Sequence, residues 1–325
     1  MDGKNNTPKQ TPYNQPFIPQ RADPYVCRDD DGSYYFTASV PEYDRIMLRC
    51  SNTVQGLKTA SERILWRKHD TGPQSKNIWA PELHKINGGY YIYYAAGDVD
   101  DIFQIRPYVL ACDGEPMTGT WHDMGPMLPC KEDPFSFRAF SLDSTVFFDK
   151  GSYYYIWAEK VGVGKQISNL YIARMAAANK LETVQVLLTT PDYDWERVDF
   201  WVNEGPAVLR HDGKIFVTFS ASATGECYCM GLVWANEGDD LLDPVSWHKL
   251  NHPVLTSDRE KGIFGPGHNS FVLSEDGKTQ LCFFHARQYP DIVGNPLYDP
   301  NRHAMYMTVH YDQAGFPVFS YEEHS

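Results

Sequence analysis

Polar and apolar positions along the chain alternate in short runs, and the runs come in pairs. Ser141 to Trp157 shows the pattern best: Asp143, the strand-prone run Thr145 to Phe148, the turn Asp149-Lys150-Gly151, then the aromatic run Tyr153 to Trp157. Two such runs around a glycine turn predict a β-hairpin. The pattern recurs at Asp23 to Phe36, Trp79 to Tyr94, Glu204 to Phe219 and His268 to Phe284. The predicted turn glycines are Gly32, Gly89, Gly151, Gly213 and Gly277. They fall about 60 residues apart, as expected of repeated units that each bury a face against a neighbour.

Each hairpin is followed by two further strand-like runs. They are Arg45 to Ser51 with Ile64 to Lys68, Tyr108 to Cys112 with Trp121 to Leu128, and Leu170 to Met175 with Thr183 to Leu188. Cys227 to Trp234 with Trp247 to Leu255, and Ala304 to Tyr311 with Pro317 to Tyr321, complete the set. The expected fold is all-β: a five-bladed β-propeller with four antiparallel strands per blade, over residues 22–325. Residues 1–21 are polar and rich in Pro and Gln, and predict a loosely attached arm. The best helical stretch, Ile172 to Lys180 with its three alanines, is short enough to be a strand end and a loop.

Composition narrows the partners. The net charge is −13 and no Lys/Arg cluster is present, which argues against nucleic acid or an anionic membrane surface. No apolar run is long enough to span a bilayer, and the first twenty residues lack the apolar core of a signal peptide. The seven cysteines are odd in number, mostly sit in apolar runs and lack zinc spacing, so all are expected to be reduced. For a chain from which no leader has been removed, these features predict a cytoplasmic enzyme.

In a propeller the innermost strand of each blade lies along the central channel. The residues opening those strands, Asp23, Trp79 to Glu82, Asp143, Glu204 and His268, would then meet at one mouth. Carboxyl groups that converge in apolar surroundings repel one another unless solvent, a cation or protonation intervenes. Paired carboxyl groups suit glycoside hydrolysis, where one protonates the leaving oxygen and the other activates water. Arg21-Ala22-Asp23-Pro24-Tyr25, Trp79-Ala80-Pro81-Glu82, Ser141-Leu142-Asp143-Ser144, Asn203-Glu204-Gly205-Pro206 and Gly267-His268-Asn269 resemble, in order and spacing, the blade-opening motifs of glycoside hydrolase family 43.

That resemblance implies an inverting mechanism in which Asp23 is the general base, Glu204 the general acid and Asp143 the group that raises the acid's pKa or holds it in place. It also implies that Trp79 lines the pocket, that Arg287 contacts sugar hydroxyls, and that His268 touches a channel water or, through waters, a structural calcium ion. No other cofactor is expected. Phe200 and Trp201 are candidates for the rim. The run Ser39 to Ile46, followed by Ile78 to His84, is similar to the exo-acting α-L-arabinofuranosidases of the family. The expected substrate is therefore an arabinose-containing oligosaccharide of arabinan type. A β-xylosidase and a non-catalytic sugar-binding propeller are the alternatives, the latter disfavoured by the presence of all three acids. The Asn-Asp-Pro-Asn-Gly signature of family 32 is missing. Only Ser274 to Thr279 resembles a sialidase Asp box.

Overall fold

The computed structural model describes residues 15–161 and 167–322. Among the described residues the regular structure is β throughout, with helical geometry limited to 3-10 turns such as Gln55–Lys58 and Pro296–Tyr298. Strands β1 (Ala22–Arg28), β2 (Tyr34–Ser39), β3 (Arg45–Ser51) and β4 (Arg63–Arg67) form an antiparallel meander in chain order. Strands β5 (Pro73–Ile86), β6 (Gly89–Asp98), β7 (Arg106–Asp113) and β8 (Thr120–Pro126) form a second.

The third group is β9 (Ser141–Asp149), β10 (Ser152–Val161), β11 (Ile167–Ala177), β12 (Lys180–Leu181) and β13 (Val186–Thr189), with β12 and β13 both paired to β11. The fourth is β14 (Trp201–His211), β15 (Lys214–Ala221), β16 (Cys229–Asn236) and β17 (His248–Lys249). A short parallel pairing, Ile167 with Trp201 and Ser168 with Val202, joins these two groups into one nine-stranded sheet. The fifth group is β18 (Phe264–Leu273), β19 (Gln280–Arg287) and β20 (His303–Thr308), followed by the separate hairpin β21 (His310–Tyr311) and β22 (Pro317–Val318).

The apolar side chains explain how these groups assemble. A strand buried on both faces must pack against a sheet on either side. Tyr35, Ile46 and Leu48 of the first group pack with Leu83, Ile92 and Tyr94 of the second. Tyr93 and Val109 of the second pack with Tyr155, Trp157 and Tyr171 of the third. Phe147, Tyr154 and Ile156 join Ile215, Val217 and Phe219 of the fourth. Phe216 and Leu232 join Cys282, Phe284 and Met305 of the fifth. Val272, Leu281 and Phe283 of the fifth then meet Val26, Tyr34 and Phe36 of the first. The clusters thus run from group to group and return to the start. The first strands touch in the same cyclic order: β1 with β5, β5 with β9, β9 with β14, β14 with β18, and β18 with β1.

Three details differ from the sequence expectation, while the helical stretch is the strand end and loop expected of it, with strand as far as Ala177. Phe17 and Ile18 are buried on residues of the fifth group, Phe17 edge-on to Phe283 and Tyr306, and Ile18 bridges Ala304. Burying a Phe and an Ile gives several kcal/mol, so this part of the polar arm is pinned; residues 1–14 lie outside the described residues. In the second hairpin the turn is made by Asn87 and Gly88, both at positive φ, and Gly89 already begins β6. The fourth strands are uneven, because the run from Trp247 to Leu255 keeps only two paired residues and a bridge from Leu255 to Met230. All seven cysteines are free thiols.

Candidate active site

Each first strand carries an irregularity at the same place, and β5 and β18 carry further ones nearer their starts. Register shifts fall between Ala22 and Tyr25, Trp79 and Glu82, Leu142 and Ser144, Glu204 and Ala207, and Gly267 and Ser270. At each shift one residue has positive φ: Asp23 (53°), Ala80 (46°), Asp143 (48°), Gly205 (55°) and His268 (46°). Left-handed backbone at a residue with a side chain costs on the order of 1–2 kcal/mol. A β-bulge re-aims side chains that strict alternation would send elsewhere.

The backbone N–H at four of these bulges is bound by a side chain from the preceding group. Ala80 N–H donates to Ser39 Oγ (2.8 Å), Gly205 N–H to Asp143 Oδ2 (3.2 Å), His268 N–H to Ser220 Oγ (2.7 Å) and Asp23 N–H to His285 Nδ1 (3.1 Å). Each bulge is therefore fixed by the neighbouring group, and these buried donors are satisfied.

The bulges surround a cavity of about 1250 Å³ lined by Asp23, Trp79, Asp143, Glu204, His268 and Arg302. Phe103, Phe140, Phe200 and Trp201 also border it, and Phe103 and Phe200 are exposed. The three carboxyl groups predicted from sequence are thus in one cavity, with Trp79 and His268 beside them. Trp79 is buried and meets Tyr43 edge-on at 5.7 Å, and its Nε1 has no hydrogen-bond partner among the described residues.

The Asp23 carboxylate is surrounded by donors and positive charge. Ser39 Oγ accepts from Ala80 N–H, so its own proton goes to Asp23 Oδ2 at 2.5 Å. Asp23 Oδ1 lies 3.4 Å from an Arg302 guanidinium nitrogen and 3.4 Å from His268 Nδ1. Burial by itself would raise the pKa of this carboxyl group; His268 and Arg302 outweigh it and hold the group well below the ordinary carboxylate value. Arg302 donates also to Tyr43 Oη at 2.8 Å. His285 accepts the Asp23 amide and stays neutral, because burial pushes its pKa down to about 3.

Glu204 and Asp143 have the opposite environment. Burial is the main influence on both and raises both, since a charge there loses its water. The negative charge of Glu204 pushes Asp143 further in the same direction. Tyr228 Oη donates to Glu204 Oε1 at 2.9 Å. Asp143 accepts the amide of Gly205, the residue after Glu204, and so fixes the backbone that carries Glu204. His268 Nδ1 sits between the two corners, 3.4 Å from Asp23 and 3.5 Å from Asp143. Burial opposes the charge of His268, but Asp143, Asp23 and Glu204 prevail and raise its pKa.

Arg287 departs from its expected place. It does not line the cavity; it is buried, and its guanidinium donates to the carbonyls of Thr224 and Pro296, each at 2.8 Å. Its role is to brace two loops of the cavity wall. The arginine that stands beside Asp23 in the cavity is Arg302, which the sequence reading missed. Tyr228 and Ser39 were missed as well. The available signals were slight: a charged residue just before the apolar strand β20, and a tyrosine between two cysteines.

The calcium expectation can be tested on the donor set. Calcium takes about six to eight oxygen ligands, and a histidine ligand must be unprotonated. Among the described residues no cluster of three or more His, Cys, Asp or Glu side chains could hold an ion. His268 Nδ1 faces two carboxyl groups that favour its protonated form. These side chains do not fit a calcium ion bound directly by His268; the water-mediated contact that the resemblance implies makes no such demand on them.

A cavity that holds one carboxylate ionised and pushes two others towards their protonated forms, beneath aromatic walls, suits glycoside hydrolysis. The chain belongs to glycosyl hydrolases family 43, whose sequence model matches residues 13–317. It is 45% identical over 290 residues to an extracellular exo-α-(1→5)-L-arabinofuranosidase of Streptomyces chartreusis, covering 89% of this chain and 87% of that protein. It is 42% identical to α-L-arabinofuranosidase 43 of Humicola insolens, covering 94% of this chain but only 63% of that relative's length. The solved α-L-arabinofuranosidase of Lactobacillus brevis superposes with a TM-score of 0.88 at 46% identity, over 96% of this chain and 98% of that one. The Streptomyces relative is named extracellular, so the cytoplasmic expectation gains no support.

Proposed function

We propose that the protein is an inverting exo-α-L-arabinofuranosidase that releases single terminal arabinofuranose units from arabinan-type oligosaccharides. One observation carries the mechanism: Asp23 is held ionised and Glu204 is pushed towards its protonated form within the same cavity. The Asp23 carboxylate takes a proton from water as that water attacks the anomeric carbon. Glu204 gives its proton to the glycosidic oxygen on the opposite face as the carbon–oxygen bond breaks. Both groups return to their starting states by exchanging a proton with solvent, and water is the only co-reactant. Asp143 orients Glu204 through the Gly205 amide. The positive charge that lets three carboxyl groups converge is that of Arg302 and His268.

We read the five strand groups as the blades of one five-bladed propeller, four strands to a blade. The cyclic order of core clusters and first strands supports this. In this reading β21–β22 and the bridge at Ile18 complete the fifth blade. The substrate reading rests on the names of the relatives at 42–45% identity.

The test compares nitrophenyl α-L-arabinofuranoside, nitrophenyl β-D-xyloside and linear arabino-oligosaccharides. Arabinoside cleavage should dominate, with arabinose released from the first minutes and its anomeric configuration inverted when first formed. Faster xyloside cleavage would point to a β-xylosidase. Early release of longer oligomers would point to an endo-enzyme, and initial retention would rule out the direct displacement by water.

A further inference from the structure

The oxygen of Glu204 that carries the proton is decided by a residue outside the carboxyl trio. We propose that Tyr228 is the positioning residue of the general acid: its hydroxyl donates to Oε1 of Glu204, which leaves the transferable proton on Oε2. This rests on the reading of Glu204 as the acid. The hydroxyl has one proton, and a carboxyl oxygen that accepts it at 2.9 Å is the less favoured place for the acid's own proton, because a carbonyl oxygen accepts better than a protonated one. Proton transfer to a departing oxygen needs the acidic oxygen within hydrogen-bond reach of it, so confining the proton to one oxygen is part of the geometry.

The tyrosine ring has little freedom to turn away. It stacks on His285 with centroids 5.5 Å apart and planes 6° from parallel. At another side stands Gly267, where a Cβ would lie 2.5 Å from Tyr228 Cε1. A glycine at that point of β18 therefore makes room for the ring. Tyr228 is buried, 1% exposed, yet borders the cavity. His285 thus serves both corners of the site, because its Nδ1 accepts the Asp23 amide.

The charged and titratable groups that face Glu204 are Asp23 from β1, Asp143 from β9, Lys160 from β10, His268 from β18 and Arg302 just before β20. Against that fixed background, removing one hydroxyl has a defined sign. The Tyr228 hydrogen bond favours the ionised form of Glu204, so its loss raises the acid's pKa.

The test is Tyr228→Phe, assayed on arabino-oligosaccharides and on dinitrophenyl α-L-arabinofuranoside, alone and combined with Glu204→Gln. A hydrogen bond to an ionisable group is worth roughly tenfold to a hundredfold in rate. That loss is expected on the oligosaccharides, with a far smaller one on the dinitrophenyl substrate, whose leaving group needs no proton. The alkaline limb of kcat/KM should move to higher pH. In the double variant the tyrosine change should add nothing to Glu204→Gln. Equal losses on both substrates, additive losses in the double variant, or an unmoved alkaline limb would each overturn the proposal. If Glu204→Gln alone loses equally on both substrates, it is the assignment of the acid that fails, and the two failures remain distinct.

Discussion

Asp23 and Asp143 occupy corresponding positions on two first strands, each a bulge residue at positive φ, yet they titrate in opposite directions. Their own backbone does not separate them. What differs is what the rest of the chain brings. Asp23 receives a guanidinium, a histidine shared with Asp143, and a serine hydroxyl. Asp143 shares the same nitrogen of that histidine, Nδ1, and receives one backbone amide, with Glu204 as a negative neighbour. Burial raises the pKa of both carboxyl groups, and only at Asp23 is it outweighed. Acid and base are thus set by second partners on a repeated frame, which is how one structural unit supports two protonation states.

The sharpest way to break this comparison is to remove the ionised corner. Asp23→Ala should lose roughly 10³- to 10⁴-fold in kcat, at the upper part of the range for general base catalysis. Because every substrate needs the activated water, the loss should be similar on oligosaccharides and on a dinitrophenyl arabinoside. Glu204→Ala should lose about 10²- to 10³-fold on oligosaccharides and much less on the dinitrophenyl substrate. Parallel losses in the two variants would mean that the corners do not have separate roles.

Two milder changes should narrow the pH–rate profile from opposite sides. Arg302→Met removes positive charge from Asp23, whose pKa then rises, so the acidic limb of kcat/KM should move to higher pH. Asp143→Asn removes a carboxyl group that becomes negative on the alkaline side, so Glu204 then loses its proton more readily and the alkaline limb should move to lower pH. Each should cost about tenfold at the pH optimum, equivalent to about 1.4 kcal/mol. Shifts of the same limb in both variants would contradict the assignment. The smallest effect is expected from Arg287→Met. By loosening the loops at Thr224 and Pro296 it should raise KM a few-fold, by about 1 kcal/mol, and leave the limbs in place. A shifted limb would place Arg287 nearer the chemistry than its hydrogen bonds do.

The contrast between Arg287 and Arg302 shows what could be read in advance. Both lie in the fifth group, at the facing ends of β19 and β20, where Ala286 pairs with His303. Arg287, the last residue of β19, was expected at the substrate because it matches a family arginine that contacts sugar hydroxyls. The structure places Arg302 at the cavity and Arg287 behind its wall.

The sequence by itself determined the hairpins, their turns and the residues that open the first strands. Those features depend on local chemistry: alternating burial, glycine and asparagine at positive φ, and carboxyl groups beside apolar runs. Asp23, Asp143, Glu204, Trp79 and His268 were legible for that reason. Only the tertiary structure decided which carboxyl group is ionised and which arginine serves it. Arg302 stands 279 residues from Asp23 along the chain, and the two meet only where the last strand group packs on the first. A pKa is set by charge and solvent within a few ångströms, and those neighbours come from the closure of the fold, which no local pattern in the chain encodes.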